Sequence, residues 1–154
     1  MQEIYKNKSA SVEERVNDLI SRMTLKEKFA QMFLTADTDY IDNVAKNGTY
    51  PDEGIGGMWG ETLTPDDVNR IQDMAKNTRL GIPPIIAYES LHGLMKDNST
   101  IFPQSIGLGA TFNEKLIEEM AVVIGREAYI MGIRQTFAPD LDISRDPRWG
   151  RVEE

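Results

Sequence analysis

Short apolar segments alternate with capped amphipathic helices through most of the chain, and this alternation constrains the fold more than any other feature. Ile55-Gly56-Gly57-Met58-Trp59-Gly60 reads as a short buried strand. Thr64-Pro65 then opens a helix, with Thr as N-cap and Pro at the first helical position. Val68, Ile71, Met74 and Ala75 form its inner stripe, and Gly81 is its expected stop. Pro83-Pro84 blocks any continuation, so Ile85-Ile86-Ala87-Tyr88 reads as a second buried strand ending at Glu89. Residues 90–109 are mixed, with a turn near Asp97-Asn98. Asn113 caps a long helix through Leu116, Ile117, Met120, Ala121, Ile124 and Ala128, stopped by Gly132. Gln135-Thr136-Phe137-Ala138-Pro139 is the next strand. Strand, helix, strand, helix, strand predicts a parallel α/β sheet. Its strands are expected to be buried on both faces, as parallel strands are. A doubly wound sheet and a (β/α)8 barrel both satisfy the pattern.

Ahead of these units, residues 11–35 form a leading helical segment. Val12, Val16, Leu19, Ile20 and Met23 keep helical spacing, and Ser11 with Glu14 forms a capping box. Thr24 with Glu27 repeats the device and opens a second helix carrying Leu25, Phe29, Met32 and Phe33. Two caps this close predict a break near Met23-Thr24. Residues 36–54 are polar and aperiodic and read as a loop, with at most a helical turn at Tyr40 to Ala45. Residues 55–154 then hold the successive βα units.

Composition removes several classes of function. A net charge of -8 argues against nucleic acid or an anionic membrane as partner. With no cysteine there is no disulfide framework or thiolate metal site, and the single His92 cannot build a multi-histidine site. No metal and no cofactor are therefore expected. The glycines at 54, 56, 57 and 60 do not make a dinucleotide fingerprint, and no phosphate loop is present. No apolar run reaches membrane-spanning length, and the N-terminus lacks the apolar centre of a signal peptide, so the chain as given reads as cytoplasmic.

Each expected strand ends in chemically capable residues: Glu61, Glu89 with His92, and Asp140 to Arg151. Function at the carboxyl ends of parallel strands is the rule for both candidate architectures. Glu89, at a strand tip, can accept hydrogen bonds from substrate hydroxyls; read otherwise, it is a helix-start acid and His92 a packing residue. The densest cluster is Arg145-Asp146-Pro147-Arg148-Trp149-Gly150-Arg151-Val152-Glu153-Glu154, with three arginines, three acids and a tryptophan. Charged forks and a flat indole suit a polar, planar ligand. The plainer alternative is a salt-bridged turn, which accounts for Arg145 and Arg148 better than for Trp149 and Gly150. The chain stops with no cap or polar tail after Val152, which reads as a protein cut inside a functional loop.

Arg145-Asp146-Pro147-Arg148-Trp149-Gly150-Arg151 resembles the signature loop of glycoside hydrolase family 3. Further segments match that family in order: Val12-Glu13-Glu14-Arg15-Val16 through Met23-Thr24-Leu25-Lys26-Glu27-Lys28, then Glu89-Ser90-Leu91-His92-Gly93, Phe102-Pro103-Gln104-Ser105-Ile106-Gly107-Leu108-Gly109-Ala110-Thr111, and Phe137-Ala138-Pro139. The resemblance runs from about residue 11 to the end. It implies the first part of a (β/α)8 barrel, roughly half of one, usually followed by a second α/β domain. It also implies retaining exo-hydrolysis of terminal β-D-glucosyl residues by two carboxyls roughly 5–5.5 Å apart.

In this family the nucleophile lies on a later barrel strand and the acid/base usually in the following domain, so no catalytic residue is expected within these residues. Glu89 and Arg151 match sugar-binding positions. His92, Asp146, Arg148 and Trp149 match residues that shape and brace the loop. The implied substrate is a β-linked oligosaccharide or an aryl or alkyl glycoside, and the implied partner is the missing C-terminal part of the parent chain. Glu-Ser-Leu-His-Gly favours a β-glucosidase or β-xylosidase over an N-acetylglucosaminidase. The chain alone is expected to be inactive. A non-catalytic carbohydrate-binding or assembly module is the alternative from another class; a doubly wound cofactor enzyme is disfavoured by the missing phosphate loop.

Overall fold

The computed structural model describes residues 3–152. After a 3-10 turn at Ile4–Lys6 come α1 (Val12–Arg22), α2 (Leu25–Ala30), β1 (Leu34–Thr35), α3 (Thr38–Asn47) and β2 (Gly57–Trp59). There follow α4 (Pro65–Lys76), β3 (Ile85–Glu89), α5 (Ser105–Gly109), α6 (Glu114–Ile130) and β4 (Gln135–Phe137). The strands form one four-stranded sheet in the order β1-β2-β3-β4, every pair parallel. Crossovers between parallel neighbours need a connection long enough to return, and helices supply it here.

Local capping decides where the helices begin. Ser11 and Glu14 form the expected box: the Glu14 amide donates to the Ser11 hydroxyl at 3.2 Å and the Ser11 amide to the Glu14 carboxylate at 2.9 Å. Thr24 and Glu27 repeat it for α2, and Thr64 and Asp67 form a third box ahead of Pro65. The break at Met23-Thr24 is where the spacing placed it. The apolar stripe of α1 is not buried, however. Val12, Val16 and Ile20 are exposed, and no residue of α1 is fully covered.

Several expectations fail for identifiable reasons. Helix α2 stops at Ala30, so Met32 and Phe33 lie beyond it. The Gly56 amide takes the Ala30 carbonyl at 3.1 Å and the Gly57 amide takes that of Phe33 at 2.9 Å, which draws the chain into β1. Gly56 has to be glycine there, because a Cβ would meet the Gln31 carbonyl oxygen at 2.5 Å. Within the expected loop 36–54 lies the whole of α3, capped by Asp37, whose carboxylate accepts from the Tyr40 amide at 3.1 Å, and ended by Gly48 in the left-handed region. The trio Ile41, Val44 and Ala45 is buried, enough to hold a helix in an otherwise polar segment. Helix α4 ends at Lys76 rather than running to Gly81, which instead turns the chain toward β3. Helix α5 sits in the segment read as mixed, and β4 stops at Phe137 rather than Pro139.

The core lies between the sheet and its helices: Ile41, Val44, Met58, Leu63, Ile71 and Ile86 are fully buried. Only one face of the sheet is covered in this way. Side chains alternate across a strand, and the register aligns Leu34, Gly57 and Ile85 on the other face, with Phe137 beside Glu89. There Ile85 is 50% exposed and Phe137 40%, so the expectation of strands buried on both faces is corrected. Helices α3, α4 and α6 supply the buried side chains of the covered side, and no layer among the described residues covers the other.

Candidate functional site

The carboxyl ends of the strands gather the chemically capable side chains. Strand β2 exits through Trp59-Gly60-Glu61, β3 through Glu89-Ser90, and β4 through Ala138-Pro139-Asp140. Trp59 stacks on Phe137, ring centroids 5.6 Å apart, and meets Tyr88 edge-on at 5.2 Å. The sequence contained no periodic signal for this aromatic group, because its members lie on three different strands.

Glu89 is the last residue of β3, half-buried and paired in register with Phe137. Its carbonyl accepts from the Met95 amide at 3.1 Å, which closes the exit loop on itself. Ser90 is buried, Leu94 is in the core, and the His92 carbonyl accepts from the Phe102 amide at 2.7 Å. His92 thus serves this loop through its backbone. Gly93, at a φ of +124°, passes so close to Thr100 that no side chain fits. Burial raises the Tyr88 hydroxyl above its ordinary pKa, and the negative charges of Glu61, Glu89 and Asp97 add to the rise. These three carboxylates therefore share one end of the sheet.

A positive charge beside Glu61 and Asp97 is Lys96, which sequence reasoning missed. Its ammonium donates to the carbonyls of Gly60 at 2.5 Å, Leu63 at 2.7 Å and Glu61 at 3.1 Å, and lies 5.6 Å from the Tyr88 ring centre. Burial lowers its pKa, opposed by Asp97, Glu61 and Asp67.

After β4 the terminal loop holds Arg151, whose Nη2 lies 4.0 Å from Oδ2 of Asp140. Within the loop Arg148 grips Asp146 with two nitrogens: Nε donates at 2.9 Å and Nη2 at 2.5 Å, and the Arg148 amide adds a bond at 2.9 Å. Arg148 holds the Asp146 carboxyl below its usual range. The Trp149 amide donates to the Asp146 carbonyl at 3.1 Å. Asp146, Arg148 and Trp149 thus form one tight turn beside Arg151, while Glu153 and Glu154 lie outside the described residues. Among the described residues no three acidic or histidine side chains come together as a metal site, and no helix is long and apolar enough to cross a membrane.

This end of the sheet is an open surface. A hollow of about 230 Å³ behind it, lined by Leu91, Ile117, Met120, Ile124 and Pro139, is apolar and faces α6. The open surface instead offers carboxylates, a guanidinium and aromatic faces, groups that hold hydroxylated rings.

Residues 12–154 match the glycosyl hydrolase family 3 N terminal domain. Beta-glucosidase C of Emericella nidulans is 36% identical over 97% of this chain and 27% of its own length. A putative beta-xylosidase of Formosa agariphila is 32% identical over 97% of this chain and 22% of its own. The crystal structure of a beta-glucosidase from Listeria innocua superposes with a TM-score of 0.76 at 32% identity, covering 94% of this chain and 21% of that one; that enzyme was also crystallised, as a D270A mutant, with laminaribiose. The chain thus spans about a quarter of the length of the curated relatives it matches. Its four parallel strands with their helices are the first part of a (β/α)8-type barrel, and the chain belongs to glycoside hydrolase family 3.

Proposed function

We propose that this chain supplies one wall of the sugar subsite of a retaining β-glycosidase that removes terminal non-reducing β-D-glucosyl residues. Glu89 accepts bonds from the sugar's hydroxyls, and Arg151, oriented by Asp140, donates to them. Asp146, Arg148, Trp149 and the His92 backbone brace the two loops. The reacting carboxylates, which such a mechanism needs roughly 5–5.5 Å apart, come from sequence outside these 154 residues. The observation that carries this reading is the placement of Glu89 and the Asp140–Arg151 pair at the carboxyl ends of the adjacent parallel strands β3 and β4.

The test uses the chain itself. Saturation-transfer NMR should detect weak binding of methyl β-D-glucopyranoside, on the order of 1 mM, an affinity of about 4 kcal/mol. Glu89→Ala and Arg151→Ala should each abolish the signal while the far-UV circular dichroism stays unchanged. Binding that survives both substitutions removes these residues from the site. A β-xylosidase is the second reading, supported by the Formosa agariphila relative. Equal or stronger signals from methyl β-D-xylopyranoside, which lacks the hydroxymethyl group, would favour it.

A further inference from the structure

We infer that Lys96 is a positioning residue for Glu89: its ammonium, held by the carbonyls of Gly60, Glu61 and Leu63, locks the β3 exit loop onto the β2 exit turn and so fixes where Glu89 meets a sugar. The proposal rests on Glu89 being a sugar contact. Three features carry it.

The first is saturation. An ammonium has three N–H donors, and here all three are given to carbonyl oxygens at 2.5, 2.7 and 3.1 Å. Every acceptor belongs to one short turn, residues 60–63, more than thirty positions back in the chain. A lysine that merely solubilises a surface does not spend each donor on backbone.

The second is connectivity. Lys96 is one residue from Met95, whose amide donates to the Glu89 carbonyl at 3.1 Å. Between them the loop is pinned by Leu94 in the core and by Gly93 against Thr100. The path from the ammonium to the Glu89 backbone therefore runs through fixed points. At its other end, the Gly60 amide donates to the Ala87 carbonyl at 2.8 Å, so the turn is itself tied to β3. The clamp closes a ring: β3, its exit loop, Lys96, the β2 exit turn, and back to β3.

The third is charge. Glu61, Glu89 and Asp97 all bear on Tyr88, and Asp67 stands in the first turn of α4 nearby. The Lys96 cation lies close to Asp97, Glu61 and Asp67 and offsets their mutual repulsion, which otherwise pushes carboxylates at one sheet end apart.

The test compares the wild-type chain with Lys96→Met, which keeps the aliphatic stem, and Lys96→Arg, which keeps charge and donors. Two readouts are taken: exchange of the Met95 amide, and saturation transfer to methyl β-D-glucopyranoside. In Lys96→Met the Met95 amide should exchange roughly tenfold faster, and the sugar signal should fall while circular dichroism shows the fold intact. Lys96→Arg should restore both. A folded Lys96→Met chain with unchanged Met95 exchange overturns the clamp, as does one that binds the glucoside like wild type. If Lys96→Met does not fold, the arginine variant decides, because a folded arginine chain with wild-type values in both readouts supports the role and one with neither overturns it. A wild-type chain that gives no sugar signal sinks the sugar reading and this role with it, and Met95 exchange then shows whether the loop clamp exists without it.

Discussion

The guanidinium of Arg79 grips the carboxylate of Glu27 with two nitrogens, joining residues 52 positions apart: Nε donates to Oε1 at 2.9 Å, and Nη2 bonds Oε2. Glu27 is buried, and it also completes the capping box of α2 by accepting from the Thr24 amide at 2.7 Å. Nη2 of Arg79 reaches the Arg22 carbonyl at 2.9 Å as well. One acid thus fixes the start of α2, the end of α1 and the approach to β3 together.

This pairing predicts acid sensitivity. The Arg79 hydrogen bonds, with those of Thr24, lower the Glu27 carboxyl from its usual 4.5 to about 2. A group whose folded pKa is depressed contributes stability that is present above its unfolded pKa and is lost as pH falls toward the folded value. The contribution of Glu27 should therefore be complete above about pH 4.5 and vanish by about pH 2. Glu27→Gln should cost about 1.5–3 kcal/mol at neutral pH, the range for hydrogen bonds to charged groups. The difference between the two chains should shrink through that window. Parallel acid titrations followed by circular dichroism check this, and a constant difference from pH 7 down to pH 2 would show that the pair contributes nothing through ionisation.

Gly93 admits no substitution. Its φ of +124° lies where side chains are strained, and a Cβ would stand 2.2 Å from the Thr100 carbonyl oxygen, a backbone atom that cannot swing aside. The strained backbone alone costs about 1–3 kcal/mol, and the clash adds to it. Gly93→Ala should lower the melting temperature and expose the Phe102 amide, now bonded to His92, to exchange. A Gly93→Ala chain with wild-type melting and exchange would mean the loop has another conformation available.

Much of this fold is legible in the residues because its determinants are local. The caps at Ser11, Thr24, Thr64 and Asn113 act over three residues, so the helix starts follow directly from the sequence. β1 was not legible, because Leu34-Thr35 is a strand only through its pairing with Gly57-Met58. The exposed inner face of the sheet was not legible either: an apolar segment does not state how many of its faces are covered. At the candidate site, Glu89 and Arg151 stood out through their motifs. Lys96 did not, because its partners are carbonyls on a distant turn and carbonyls carry no sequence signal.

Helix α3 offers a test of the segment that read as loop. Ile41 is completely buried in the cluster with Val44, Met58 and Ile71. Truncation there removes transfer free energy and leaves a cavity, about 2–5 kcal/mol for a buried isoleucine. At roughly 2–4 °C per kcal/mol for a chain of this size, Ile41→Ala should melt visibly lower. Replacing the neighbouring exposed Asp39 with Ala should not. Equal melting of the two variants would put α3 outside the cooperative core.

Trp149 and the Asp146–Arg148 pair separate bracing from stability. The pair is short and bidentate, but the Arg148 side chain is 89% exposed, and exposed pairs contribute little because water competes for both charges. Arg148→Ala should leave the melting temperature where it is. The same substitution removes the guanidinium bonds to the Asp146 carboxylate and leaves only the Arg148 and Trp149 amides to hold the turn. Arg151 follows directly and depends on that turn to reach Asp140. Loss of methyl β-D-glucopyranoside binding with unchanged melting is therefore the expected result, measured by saturation transfer and thermal unfolding on one preparation. Binding retained at wild-type strength would show that Arg151 keeps its place without the brace, and the terminal loop would then contribute to the site through Arg151 and Asp140 alone.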